Sequence, residues 1–389
     1  MYESTYMKRT ARIISGVCGS LFILFIFFYL FVMQADLLAT AQHLLSKGQT
    51  VYSPLWGACI ITLLLLLLQV LFRRLVAYPL RFYVLSYFPS CLVLVMLTSI
   101  VPDRDGDVCF SVNWIWFVIS IVLHALLTWA SLHFPDRNNG KQRVFSLLWV
   151  NFLLLALQFC VVGGMSNTND VYHYKLRAVR YIVQGQDPMA LQVGVKSLDA
   201  DRSLTAMRAF ALGRQNQLGE SLFEYPQYYG SQGLIPASSD TIYAHDWISL
   251  FYKTVGGRPG KDLRNATRFL ELLVQSPSAT PISHDYLLCA YLLDRNLDAF
   301  VRMLPCYYEA GARIPRYYKE ALALYENLHE TPSLAYKDSI METELKDFLA
   351  YGMQYSDLTE RSNQCRRMYG DTYWWYYYYQ LDSVCESDL

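Results

Sequence analysis

The chain changes its hydrophobic rhythm once. Up to residue 164 apolar residues come in unbroken runs, and from Met165 onward they recur at helical spacing among polar positions. A helix that crosses about 30 Å of hydrocarbon needs about 20 mostly apolar residues. Five stretches meet that length: 13–33, 51–72, 82–101, 112–134 and 144–164. Their centres are dense, as in Leu63-Leu-Leu-Leu-Leu-Leu68 and Phe152-Leu-Leu-Leu-Ala156. Pro89 interrupts the third, and a membrane helix accommodates such a break with a kink when its neighbours satisfy the freed carbonyl. The first run has a basic start, Lys8, Arg9 and Arg12. Its apolar core exceeds the roughly 7–15 residues of a cleaved signal peptide, so it reads as a retained anchor.

In the second half, Leu297, Phe300, Val301, Leu304 and Tyr308 fall on one helical face, with Pro305 marking a kink near the end. Leu263, Ala266, Leu270 and Leu273 form a second stripe, and Tyr318, Ala321, Leu322, Tyr325 and Leu328 a third. No stretch sustains the two-residue alternation of a strand, which argues against a sheet. The run Arg208-Ala-Phe-Ala-Leu-Gly-Arg-Gln-Asn-Gln-Leu218 parallels Leu288-Cys-Ala-Tyr-Leu-Leu-Asp-Arg-Asn-Leu297. Each pairs small and aromatic residues on one helix with a polar turn and a Leu that opens the next. Helix pairs recurring at a period near 34 resemble tetratricopeptide-type repeats. Residues 223–259, rich in Tyr, Gly, Ser and Pro, read as an insertion with one short helix near 243–252. The fold class expected is all-α. A cytoplasmic N-terminus (1–11) precedes a five-helix transmembrane bundle (12–164), and a soluble α-helical repeat-like, tetratricopeptide-like domain (165–389) follows.

Charge sharpens this division. Residues 1–164 hold 11 Lys/Arg and 6 Asp/Glu, and residues 165–389 hold 22 and 27, so the net charge of +0 joins two unlike halves. The basic residues of the first half alternate. Lys8, Arg9 and Arg12, then Arg73, Arg74 and Arg81, then Arg137, Lys141 and Arg143 fall on one side, against Lys47 and Arg104 on the other. The positive-inside rule then places the N-terminus in the cytoplasm and, after five crossings, residues 165–389 outside it. A mildly acidic second half also argues against nucleic acid, whose phosphates call for a basic surface.

Three segments carry a resemblance: Leu85-Ser-Tyr-Phe-Pro-Ser90, Leu218-Gly-Glu-Ser-Leu-Phe-Glu-Tyr-Pro-Gln227 and Tyr369-Gly-Asp-Thr-Tyr-Trp-Trp-Tyr-Tyr-Tyr-Tyr379. They are similar to recurring segments of an uncharacterised bacterial multi-pass membrane-protein family of unknown function. The resemblance implies N-terminal spans, a C-terminal helical-repeat domain and residence in the bacterial inner membrane. It covers nearly the whole chain and brings no assigned activity.

Candidate chemistry is sparse. His124 in the fourth run, with Asn151 and Gln158 in the fifth, are the polar groups at membrane depth, and they are expected to bond between helices rather than form a relay. Tyr373, Trp374, Trp375, Tyr376 and Tyr377 offer either an aromatic binding surface or a docking face for the rest of the domain. Cys289 and Cys306, expected on paired helices, are a candidate disulfide. Thr241, Ser339 and Ser383 follow Asp in three-residue patterns that resemble bacterial O-glycosylation sites. The turn Asp103-Arg-Asp-Gly-Asp107 lacks the Gly and Glu spacing of a calcium loop. Gly256-Gly-Arg-Pro-Gly-Lys261 lacks the spacing of a phosphate loop. The His-Asp pairs at 245–246 and 284–285 offer too few ligands for a metal. No G-x-S-x-G elbow or H-E-x-x-H motif occurs in the sequence, Ser, His and Asp are too scattered to nominate a triad, and no cofactor is expected. The partners expected are the lipid bilayer and another envelope protein, with a glycan as a further candidate. The function expected is therefore an envelope scaffold for protein interaction. The alternatives are an enzyme or transporter acting on lipid-linked glycan, and a sensor working through a partner.

Overall fold

The computed structural model describes residues 2–102, 108–133, 144–237, 244–258, 265–308, 313–330, 332, 334 and 336–380. Among them the protein is essentially all-α, with one two-stranded antiparallel hairpin that pairs Ile100–Pro102 with Val108–Phe110. The chain divides into two compact units, Met1–His173 and Tyr174–Leu389.

The first unit contains five helices long and apolar enough to cross a membrane: Lys8–Met33, Pro54–Leu75, Leu80–Leu97, Trp114–His133 and Val144–Met165. Their core is a narrow seam. Ile14, Cys18, Phe22 and Ile26 recur every fourth residue on the first helix and are buried, as are Leu147, Leu155 and Val162 on the fifth. The outward faces are as apolar as the seam, with Leu24, Phe28, Leu63, Leu64, Ile115 and Leu153 exposed. The fourth helix turns Phe117, Ser120, His124 and Thr128 partly inward and leaves nearly all its large apolar side chains exposed.

The third apolar helix departs from its expected form. Residues Leu80–Tyr87 are a 3₁₀ segment with a non-helical Phe82 (φ −120°, ψ 27°), and the α-helix Phe88–Leu97 starts only afterwards. Pro89 therefore does not kink it. Pro89 lies in the first turn of the α-helix, where its missing N–H would have had no partner anyway. The backbone left open upstream is taken by amide side chains of the fifth helix. Asn151 Nδ2 donates to the carbonyls of Leu80 (2.9 Å) and Arg81 (3.1 Å), and its Oδ1 accepts from the Val84 N–H (3.0 Å). Gln158 Nε2 donates to the Val84 carbonyl (3.2 Å). The second helix contributes Gln69, which donates to Ser86 (3.0 Å), while Ser90 donates to its Leu65 carbonyl (2.8 Å).

The second unit is built of short helices that mostly begin on a side-chain cap. Asp201, Asn265, Asn296, Asp357 and Thr372 each accept a hydrogen bond from a backbone N–H two or three residues inside the helix. Thr280 forms a reciprocal capping box with Ser283. Three helix pairs share one turn. After Asp170–Val183, Arg202–Arg214 and Pro281–Leu293, the chain passes through a left-handed residue: Gly185 (φ 73°), Asn216 (φ 55°) and Arg295 (φ 55°). In each case the next residue's N–H returns five residues: Gln186 to Tyr181 (2.8 Å), Gln217 to Leu212 (2.9 Å) and Asn296 to Tyr291 (2.8 Å). This is the 6→1 closure of a Schellman turn, after which the next helix begins. From residue 266 to 369 successive helices pack on one another in chain order, and Tyr373–Tyr379 packs back onto Arg316–Leu328. The stretch expected as an insertion carries a π turn, Ala244–Ile248, that runs into the helix Ser249–Val255.

Candidate functional site

The sequence offered the aromatic run at 373–377 as either a binding surface or a docking face, and in the structure it packs against the rest of the domain. Tyr373, Trp374, Trp375 and Tyr376 are buried and Tyr377 is half-buried. Their polar tips are spent on backbone. Tyr373 and Tyr376 hydroxyls donate to the carbonyls of Leu292 (3.2 Å) and Leu293 (2.7 Å), at the end of Pro281–Leu293. Trp374 Nε1 donates to the Glu320 carbonyl (2.8 Å) and Trp375 Nε1 to that of Ser362 (3.1 Å). The run is a keystone of the domain, and amphipathic rings suit it because each buries a large apolar face and still satisfies a carbonyl.

Behind this helix lies a carboxylate the sequence reading missed. Glu320 is 2% exposed, pairs with Arg316 (Nε to Oε1, 2.8 Å) and accepts the Tyr373 N–H (2.7 Å). Arg316 also reaches Asp371 (3.2 Å), and its backbone N–H donates to Glu220 (3.0 Å). Burial pushes the Glu320 carboxyl up to about 7, against the opposing pull of Arg316 and the Tyr373 N–H. A second, half-buried acid, Asp285, accepts from the hydroxyls of Tyr308 (2.7 Å) and Tyr318 (3.1 Å). Burial raises its pKa, and those two hydrogen bonds oppose the rise.

The candidate site opens beside this network. A cleft of about 320 Å³ is bounded on one side by residues 223–227 and on the other by residues 366–372 with Trp375, Tyr376 and Gln380. Its charged groups are Glu224, Arg366, Arg367 and Asp371. The Arg366 guanidinium lies 5.1 Å from the centre of the Trp375 ring, a cation–π contact. Gln227 lines the cleft and is 4% exposed. Its Nε2 is pinned by the carbonyls of Leu222 (2.9 Å) and Tyr225 (3.3 Å), and its Oε1 has no partner among the described residues. A buried amide oxygen without a donor is costly.

The other expected residues fall as follows. Asn151 and Gln158 make the contacts to the third helix described above. His124 does not join them: its ring stacks on Phe88 (4.2 Å) and its Nε2 meets Thr128 of its own helix (3.4 Å). Cys289 and Cys306 are free thiols. Cys289 is buried against the Tyr318 hydroxyl (3.5 Å), while Cys306 is exposed. Ser339 is exposed at the start of the helix Ser339–Met353, behind the Asp338 cap. Thr241, Ser383 and the turn 103–107 lie outside the described residues. His284 stacks on Tyr307, and no cluster of three metal-ligating side chains occurs among the described residues.

Fold and site together define an essentially all-α protein with five long apolar helices and a helical domain bearing a cleft of mixed polar and aromatic lining. The chain belongs to DUF6057, a family of unknown function, whose model matches residues 100–257 and 260–380. The match takes in the last two apolar helices and the helical domain as far as Gln380. Comparison with curated proteins and with solved structures gave no match.

Proposed function

We propose that the protein is a multi-pass protein of the bacterial inner membrane whose tetratricopeptide-like helical domain stands outside the cytoplasm and binds another envelope protein. The observation that carries this reading is the recurring helix–turn–helix unit, closed by the same left-handed turn at Gly185, Asn216 and Arg295. Stacked units of this kind build extended surfaces suited to partner chains. The apolar outward faces of the first unit are what hydrocarbon would cover, and the alternation of basic residues supports the orientation.

Two measurements test the reading. A membrane-impermeant maleimide should label the exposed Cys306 in cells whose inner membrane is intact; labelling only after the membrane is opened would overturn the orientation. Photo-crosslinkers placed on exposed positions of the helical domain in native membranes should give one reproducible adduct, confined to neighbouring positions. Adducts of equal yield at every position, or none, would overturn the scaffold reading.

A further inference from the structure

We propose that the apolar unit binds the phosphate of an anionic phospholipid where Arg73 meets the first and third apolar helices, with Arg12 and Lys8 beside it. The inference rests on the reading that these helices cross a membrane. Arg73 stands in the last turn of Pro54–Leu75 and is exposed, yet it is held in place. Its Nη1 donates to the hydroxyls of Tyr83 (3.1 Å) and Ser15 (3.4 Å), and its guanidinium carbon lies 4.6 Å from the centre of the Tyr83 ring. Tyr83 is buried, and its hydroxyl meets that of Ser15 (3.0 Å), so side chains from three helices position one guanidinium. Nε and Nη2 make no hydrogen bond among the described residues. Those two donors form one edge of the fork, the edge that engages two phosphate oxygens at once.

The surroundings are cationic and lack acids. Lys8, Arg9, Arg12, Arg73 and Arg74 are exposed, and none has an ion-pair partner among the described residues. Lys8 lies two turns and Arg12 one turn before Ser15 on the first helix, so both share the side on which Arg73 docks. No Asp or Glu occurs at residues 4–35 or 37–102. A zwitterionic headgroup would therefore bring an ammonium to a place that offers it no carboxylate, whereas a headgroup of net negative charge meets cations alone. An apolar stripe then leads away from the site. Val70, Leu67 and Leu63 follow Arg73 into the second helix at helical spacing, and all three are exposed. An acyl chain laid along them would start from a phosphate at Arg73, and a soluble phosphate would gain nothing from the stripe.

The test is native mass spectrometry of the full chain in neutral detergent containing equal amounts of a phosphatidylglycerol and a phosphatidylcholine with the same acyl chains. Phosphatidylglycerol is expected to be retained at least about fivefold over phosphatidylcholine. Arg73→Gln should lower that retention about tenfold or more. Arg12→Gln, which loses no contact within the protein, should lower it about threefold or more. Arg9→Gln removes the same charge from a position about 120° round the helix from Ser15, and should change retention less than about twofold. If Arg73→Gln loses helical circular dichroism, the contrast between Arg12→Gln and Arg9→Gln decides alone. Equal retention of the two lipids would overturn the proposal. So would an Arg9→Gln loss as large as that of Arg12→Gln, since the charges would then act as a diffuse field. Displacement of phosphatidylglycerol by about 20 mM glycerol phosphate would assign the site to a soluble phosphate and also overturn it. Resistance of the chain to alkali extraction from membranes tests the membrane reading by itself, so the two readings fall separately.

Discussion

Replacing Asn151 with Leu gives the sharpest test of how the apolar unit holds together. Leucine fills nearly the same space but cannot bond, so the change strips partners from the Leu80 and Arg81 carbonyls and the Val84 N–H. All three belong to the 3₁₀ segment Leu80–Tyr87, which has no complete helical ladder to fall back on. Interhelical hydrogen bonds in membranes are worth about 0.6 kcal/mol on average and up to about 1.7, so three put the loss at roughly 2–5 kcal/mol. Gln158 still supports the Val84 carbonyl, which argues for the lower half of that range. The assay is equilibrium unfolding of the whole chain in mixed micelles, with His124→Leu as the comparison. His124 bonds only within its own helix and stacks on Phe88, so its loss should cost about 1 kcal/mol or less. An Asn151→Leu loss below about 1 kcal/mol, or one matched by His124→Leu, would refute the account of the third helix.

Other outcomes follow from the helical domain. Glu320 has a folded pKa raised by burial to about 7 from an ordinary 4.5, so the stability linked to it is fully present below 4.5 and is lost as pH rises through about 7. Unfolding midpoints should fall across that window, and Glu320→Gln should flatten the slope; an unchanged slope would show that another group sets it. Asp285→Ala leaves the Tyr308 hydroxyl without its acceptor and Tyr318 with only the longer bond to the Asp285 carbonyl (3.4 Å), and should cost about 1–3 kcal/mol in thermal unfolding, with Asp285→Asn milder. Gly256 has φ +110° and ends the helix Ser249–Val255, and a Cβ there would run into the Ser278 carbonyl oxygen. Gly256→Ala is therefore expected to destabilise by at least about 1–3 kcal/mol in the same assay. In the folded chain Cys306 should react with a maleimide promptly and Cys289 only on unfolding, read by mass spectrometry of the labelled peptides.

The sequence made some of this visible and hid the rest for physical reasons. Apolar run length locates all five long helices, because the signal depends on composition alone. The parallel between residues 208–218 and 288–297 anticipates a shared turn, and Asn216 and Arg295 do take the same left-handed conformation. Pro89 was misleading, since proline marks both a kink and a helix start and only the backbone upstream decides which. Asn151 was legible as a bonding group, but its partner was not: it serves open backbone that no pattern of side chains reveals. Glu320 left a trace, as an acid on the face that also carries Tyr317, Ala321 and Leu324, and a charge within a buried stripe asks for a partner. The cleft left none, because residues 223–227 and 366–380 meet only through the folding of everything between them. The aromatic run was readable in composition, yet its role turned on where each hydroxyl points.

The broken start of the third apolar helix also bears on the order in which the chain can be assembled. If the five apolar helices cross a membrane as proposed, Leu80–Tyr87 reaches hydrocarbon with backbone groups that Asn151 and Gln158 satisfy, and Asn151 is made 67 residues after Val84. On that reading the segment would carry unsatisfied backbone if released into lipid as soon as it is synthesised, and would wait at the insertion machinery or at the membrane surface. Chains truncated at residue 143 should therefore leave this segment extractable by alkali, while chains truncated at residue 165 should hold it firmly. Asn151→Leu in the longer chain should restore the extractable behaviour. On this account the fifth helix does for the third what a chaperone would otherwise have to do.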